Sequence, residues 1–179
     1  MKNNKKLPIL AVEDRDLGGY NMSFVFRKTT MEDIDILLPI QKASFQEDLE
    51  KYEDFETNPA CESFEKLAQN IKKYHHFTIL DGETVIGAID VRGNNERMHL
   101  DKVFISPFNQ NNGAGTAAIL FLEEKFPNVR LWTLYTPYLS FRNHYFYEKL
   151  GYKKTKEVQL APKLILFKYE KLSCVLMSE

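Results

Sequence analysis

The sequence predicts one α/β (α+β) domain with a mixed, mostly antiparallel central sheet flanked by helices. Two observations carry this. Phe77 to Leu80, Thr84 to Val91 and Met98 to Ser106 are β-rich runs parted only by turn residues, Asp81-Gly82 and Gly93-Asn94-Asn95. Antiparallel strands therefore follow one another with no helix between them. A doubly wound parallel sheet alternates strands and helices from the start, so the pattern argues against it. Second, Met98 to Phe126 reads as strand, Gly-containing turn and helix, and a closing strand pair ends the chain.

At 179 residues the chain suits one well-packed domain. The expected division is an N-terminal extension over 1–22, the domain over 23–172 and a tail over 173–179. A net charge of −1 gives no electrostatic case for nucleic acid or for an anionic membrane. No apolar run approaches the ~20 residues of a membrane span, and Met1 to Val12, interrupted by Pro8, makes a poor signal peptide. Cys61 and Cys174 stand far apart without metal-ligand spacing. Isolated cysteines suit a reducing compartment, so a cytoplasmic protein without a metal is expected.

The elements follow in order. Ile9 to Val12 fits an extra edge strand or a partly ordered extension, and Gly18-Gly19 a turn. Ser23 to Arg27 is a strand, after which Thr30 and Asp33 read as a helix N-terminus. Ile34, Leu37, Leu38 and Gln41 mark the buried face of that helix, with a kink or break expected at Pro39. Phe45 to Glu56 is dense in carboxylates and by default a solvated surface. Phe64, Leu67, Ala68 and Ile71 give an amphipathic helix. His75 and His76 open the next strand as edge or loop residues. Beyond the central unit, Val129 to Tyr135 is a strand with Trp132 in the core, Ser140 to Leu150 a helix capped by Gly151, and Tyr152 to Leu160 and Leu164 to Tyr169 the closing strands.

The turn in the central unit, Gln110-Asn111-Asn112-Gly113-Ala114-Gly115, sits where unpaired N–H groups and the helix dipole favour a phosphate. A Walker-type loop needs Gly-Lys-Ser/Thr, and here Thr116 follows Gly115 directly. Gly113 to Ala118 fits a loose dinucleotide pattern, but Pro107 to Asn112 separate it from the strand, and Val129 to Tyr135 holds no acid for a ribose. Ile105-Ser106-Pro107 followed by Gln110-x-x-Gly113-x-Gly115 matches a third pattern position for position. It resembles the coenzyme A loop of the Gcn5-related N-acetyltransferase (GNAT) superfamily. Asn143-His144-Tyr145-Phe146-Tyr147-Glu148-Lys149-Leu150-Gly151-Tyr152 resembles that family's C-terminal signature, one strand further on.

The resemblance implies a GNAT-like sheet splayed at the central strand to admit acetyl-CoA as cosubstrate. It implies that the backbone of Val103, Phe104 and Ile105 pairs with the pantetheine arm and holds the oxyanion. Gln110, Asn111, Asn112, Gly113, Ala114, Gly115 and Thr116 would wrap the pyrophosphate. Asn143 would hydrogen-bond the coenzyme; some members carry an asparagine a turn earlier, where this chain has Ser140. Tyr147 would protonate the leaving thiolate. The family often carries its base on the central strand at the places of His99 and Asp101; His99 is favoured on pKa grounds, with Asp101 as partner or alternative. A base is needed because deprotonating an alkyl amine at pH 7 costs about 4–5 kcal/mol.

The segment after the first helix often walls the family's acceptor pocket. Phe45, Glu47, Asp48 and Tyr52 would suit a cationic amine there. The expected activity is transfer of acetyl to a primary amine, on a small molecule or a peptide, with the closing strands offering an edge for a homodimer. The alternatives are a non-catalytic acyl-CoA-binding module and a nicotinamide-dependent oxidoreductase.

Overall fold

The computed structural model describes residues 10–11 and 24–173. The Gly18-Gly19 turn and Cys174 lie outside the described residues. One eight-stranded sheet runs through the domain in the order β1-β2-β3-β4-β5-β6-β8-β7. The strands are β1 (Leu10–Ala11), β2 (Phe24–Lys28), β3 (His75–Asp81), β4 (Thr84–Gly93), β5 (Arg97–Ile105), β6 (Leu131–Pro137), β7 (Lys153–Ala161) and β8 (Leu164–Leu172). Neighbours from β1 to β5 are antiparallel, as are β6-β8-β7; β5 and β6 run parallel. The helices are α1 (Ile34–Tyr52), α2 (Phe64–Lys73), α3 (Ala114–Lys125) and α4 (Phe141–Lys149). No helix of the described residues is long and apolar enough to cross a membrane.

Each sheet face has its own core. Phe26 and Phe77 receive Phe121 of α3, with Phe26 stacked on it at 4.6 Å between ring centres, and Trp132 and Tyr147 belong to the same cluster. On the opposite face Ile34 and Leu37 of α1 meet Leu67 and Ile71 of α2 over Ala88 and Phe104. A fully buried side chain of this size contributes about 1.5–3 kcal/mol.

Thr30 and Asp33 form the expected capping box. The Thr30 N–H donates to Asp33 Oδ2 at 2.7 Å, and Arg27 grips both carboxylate oxygens, at 2.7 and 2.6 Å. Pro39 does not break the helix, which continues through it for 19 residues. The missing N–H forfeits only the bond to the Asp35 carbonyl. Buried Ile34, Leu37 and Gln41 fix the helix on both sides of that gap. As a result the carboxylate-rich stretch up to Tyr52 is the second half of α1, not a segment between the first two helices.

His76 is not an edge residue. It is 2% exposed, and its Nδ1 lies 2.8 Å from Thr29 Oγ1. Its register partner on β4 is Asp90, which in turn faces Lys102 on β5. Lys102 Nζ is 2.5 Å from Glu62 Oε2 and 4.0 Å from Asp90 Oδ2. A row of buried polar side chains thus crosses the sheet beneath α1 and α2.

Candidate active site

The ladder between β5 and β6 is short. It pairs Arg97 to Leu100 with Leu131 to Leu134, while β5 runs on to Ile105 and β6 stays paired with β8 as far as Pro137. Beyond Leu100 the two strands part, so the β6 side of β5 from Asp101 to Ile105 has no strand partner. This is the splay expected at the central strand.

A bulge marks where it begins. Asp90 pairs with Lys102 and Val91 with Leu100, leaving Asp101 as the extra residue. The side-chain alternation resets there: Leu100, Val103 and Ile105 all join the α3-side cluster, and Phe104 the α1–α2 cluster. Val103 and Phe104 therefore point to opposite faces, and their shared contribution to the cleft is backbone. The spacing of His99 and Asp101 does not by itself place them on one face, because the bulge intervenes. Arg92 links them instead: it faces His99 in the ladder and lies 3.0 Å from the Asp101 carboxylate.

His99 is half-buried, its Nδ1 2.8 Å from Thr133 Oγ1 on β6 and its ring 5.6 Å from that of Tyr135. Burial, then the Arg92 charge, lowers its pKa below the usual imidazole value, against an opposing pull from Asp101. The ring is therefore neutral at pH 7.

At the end of β5, Pro107–Asn109 forms a single 3-10 turn and Gly113 caps α3 with φ +91°. A side chain added at Gly113 would meet open space, whereas one at Gly115 would come within 3.3 Å of the Phe146 ring on α4. Gly115 thus lets α3 and α4 approach each other at the mouth of the wedge. Asn112 Oδ1 accepts from the Ala114 N–H at 3.1 Å, and the first helical bond runs from Ala117 N to Gly113 O. Gly115 and Thr116 N–H groups accordingly have no partner within the helix. Gln110 Nε2 donates to Ile105 O at 3.0 Å, and Ser44 Oγ on α1 lies 2.9 Å from the same carbonyl.

On α4, Asn143 Nδ2 donates to Thr136 Oγ1 on β6 at 3.2 Å. Tyr147, one turn later, is 7% exposed among Phe146, Tyr152 and Tyr169, and burial pushes its hydroxyl above the ordinary phenol range. Tyr52 at the end of α1 is 3% exposed. Its hydroxyl approaches the Leu139 backbone without a well-formed hydrogen bond. Burial and then the charge of Asp48 push it up to about 12. Asp48 is half-buried and its own pKa is raised, by burial and then by Glu47. Among the described residues neither carboxylate has a salt-bridge partner. Phe45 packs edge-on against Phe104, 6.3 Å between ring centres, and belongs with the α1–α2 core.

Sequence reasoning missed Arg92, Thr133, Ser44 and Arg142, each of which reaches its partner across the fold. Only Arg142 carried a local signal, lying beside the motif's Asn143.

Comparison with known proteins names the class. Residues 36–152 match the acetyltransferase (GNAT) family, and the chain belongs to that family. The uncharacterized protein YrkN of Bacillus subtilis (strain 168) is 37% identical over 98 residues, 53% of this chain and 50% of that protein. The chain thus spans about half the length of that curated relative. The PaiA N-acetyltransferase of Thermoplasma acidophilum, solved in complex with coenzyme A, superposes with a TM-score of 0.67 at 21% identity, covering 85% of this chain and 100% of that one. A GCN5-related N-acetyltransferase structure from Rhodopseudomonas palustris gives a TM-score of 0.72 at 18% identity, over 87% and 100%. The ribosomal-protein-S18-alanine N-acetyltransferase of Escherichia coli gives 0.67 at 13%, over 83% and 93%. At these identities the likeness establishes the fold.

Proposed function

We propose that this protein moves the acetyl group of acetyl-CoA directly to a primary amine, with a cationic small molecule as the favoured acceptor. The observation that carries the reading is the parting of β5 from β6 after Leu100, with the Gln110–Gly113 turn and the first residues of α3 at the wedge's mouth. The residues present fit the coenzyme. An unladdered β5 edge suits an extended amide-bearing arm. Free N–H groups at the start of α3 and the open space over Gly113 suit a pyrophosphate.

The coenzyme supplies an activated acyl group as a thioester. A carbon–nitrogen bond forms as the carbon–sulfur bond breaks. His99 takes the amine proton through Nε2, which requires the tautomer whose Nδ1–H donates to Thr133. A neutral imidazole at pH 7 can accept that proton. A β5 backbone N–H beyond the bulge stabilises the oxyanion, and the Tyr147 hydroxyl protonates the departing thiolate. Full transfer to a thiolate whose conjugate acid has a pKa of about 8.5 is uphill from a phenol of about 10, so the protonated Tyr147 hydroxyl serves first as a hydrogen-bond donor to the sulfur as charge builds on it.

The preference for a cation rests on Asp48. A half-buried carboxylate without a described partner, flanked by Glu47 and Tyr52, gains from an ammonium group beside it. The test is calorimetric titration with acetyl-CoA and with NAD, then an amine panel followed by thiol release. Binding of acetyl-CoA alone, and thiol release with diamines that weakens in Asp48→Asn, supports the reading. Binding without release from any amine would leave a coenzyme-binding module, and NAD binding would reopen the oxidoreductase alternative.

A further inference from the structure

Arg142, near the start of α4, reaches across to the loop that follows β5. Its Nη1 donates to Gln110 Oε1 at 3.0 Å and its Nη2 to Asn111 Oδ1 at 2.9 Å. Both acceptors are neutral amides, and among the described residues no carboxylate pairs with the guanidinium. An exposed arginine usually swings free. This one is held by two side chains, one of which is itself tied to the end of β5 through Ile105 O. The second, Asn111, sits on a backbone with φ +64°. Two of the five guanidinium donors are used in this way, and the others remain for a ligand. Three residues beyond Asn111 the α3 helix begins, with unpartnered N–H groups and its positive dipole end. A fixed cation from α4 and a helix N-terminus from α3 therefore face one loop, and no anion in the described chain neutralises them.

We infer that Arg142 is a phosphate ligand of the coenzyme, preplaced by Gln110 and Asn111. The inference rests on the acetyl-CoA reading above and assigns to this chain a contact that neither sequence motif contains. The ligand chemistry is a phosphate oxygen, which the coenzyme offers both in its pyrophosphate and in its 3′-phosphate. Guanidinium suits either, because its planar fork meets two oxygens at once.

The test is calorimetric titration of wild type, Arg142→Gln and Arg142→Lys with acetyl-CoA and with 3′-dephospho-acetyl-CoA, at several salt concentrations. Losing a charge-assisted contact of this kind should weaken acetyl-CoA binding about ten- to hundredfold in Arg142→Gln. Arg142→Lys should recover part of the loss, and the salt dependence of Kd should become shallower in Arg142→Gln. If the loss persists with the dephospho compound, the pyrophosphate is the partner; if it vanishes there, the 3′-phosphate is. Unchanged affinity in Arg142→Gln overturns the inference. So does weaker binding with an unchanged salt dependence, which would make Arg142 a brace for the loop. Wild type that binds no acetyl-CoA would instead remove the reading beneath it, a result distinct from either.

Discussion

Asp101 lies 3.0 Å from Arg92, the residue that faces His99 across the β4–β5 ladder, so both candidate bases share one arginine. The pairing separates their roles. Asp101 is engaged by a guanidinium, whereas the His99 ring is held through Thr133 with its pKa lowered by burial and then by the Arg92 charge, which leaves His99 Nε2 as the candidate base. His99→Ala should lower kcat/KM at neutral pH about hundredfold and leave acetyl-CoA affinity unchanged. Arg92 lowers the imidazole pKa and Asp101 raises it. The acidic limb of kcat/KM should therefore move up in Arg92→Gln and down in Asp101→Asn. Undiminished turnover in His99→Ala would remove it from the mechanism.

Tyr147 presents a different pH signature. Burial raises its hydroxyl, so it keeps its proton through the range in which turnover would be assayed. Tyr147→Phe should slow turnover about hundredfold while sparing coenzyme binding, and no basic limb below about pH 10 should be traceable to this residue. Normal rates in the variant would leave Tyr147 a packing residue of the aromatic cluster.

His76 and Asp90 face each other on β3 and β4, and burial moves them in opposite senses: the imidazole down to about 3 and the carboxyl up to about 7. Against its unfolded value of 6.5, His76 contributes stability that is complete above that pH and lost as pH falls toward about 3. Against 3.8, Asp90 contributes stability that is complete below that pH and lost as pH rises through about 7. Between about pH 4 and 6.5 the slopes oppose each other. Denaturant midpoints should vary little with pH there in wild type and rise with pH in Asp90→Asn. A flat profile in that variant would contradict the opposition.

Gly113 can be tested apart from any ligand. Its φ of +91° disfavours a side chain even though space is open around it. Gly113→Ala should cost about 1–2 kcal/mol in unfolding free energy, measured by denaturant titration. A neutral result would mean that the loop relaxes to a conformation alanine accepts.

What the sequence revealed was local or repetitive. β-rich runs bounded by turn residues marked the strands, and Thr30 with Asp33 marked the start of α1. Glycine spacing located the turn between β5 and α3, although the helix already begins at Ala114, and Trp132 is in the core as its apolar strand implied. What it hid depends on register between distant segments. No local pattern reports that Asp101 is a bulge, because that is a fact about β4 as well as β5. His76 looked like an edge residue because its partners, Thr29 and Asp90, are brought to it only by strand pairing. No local pattern marks Lys102 as buried, yet Glu62 from the turn before α2 meets it in the interior. Pro39 was weighed by its own propensity, while the buried residues on both sides decided the outcome.

The early parting of β5 and β6 means that the sheet lacks a rung that another molecule can supply. On the proposed reading, the extended arm of the coenzyme acts as a strand lent from outside, bridging β1–β5 to β6-β8-β7. Cofactor supply then becomes a determinant of the protein's own lifetime. At a hundred times Kd, a ligand bound only by the folded chain adds about 2.7 kcal/mol of stability. Starvation for acetyl-CoA would loosen the sheet at its seam, and with it the resistance of the chain to proteolysis.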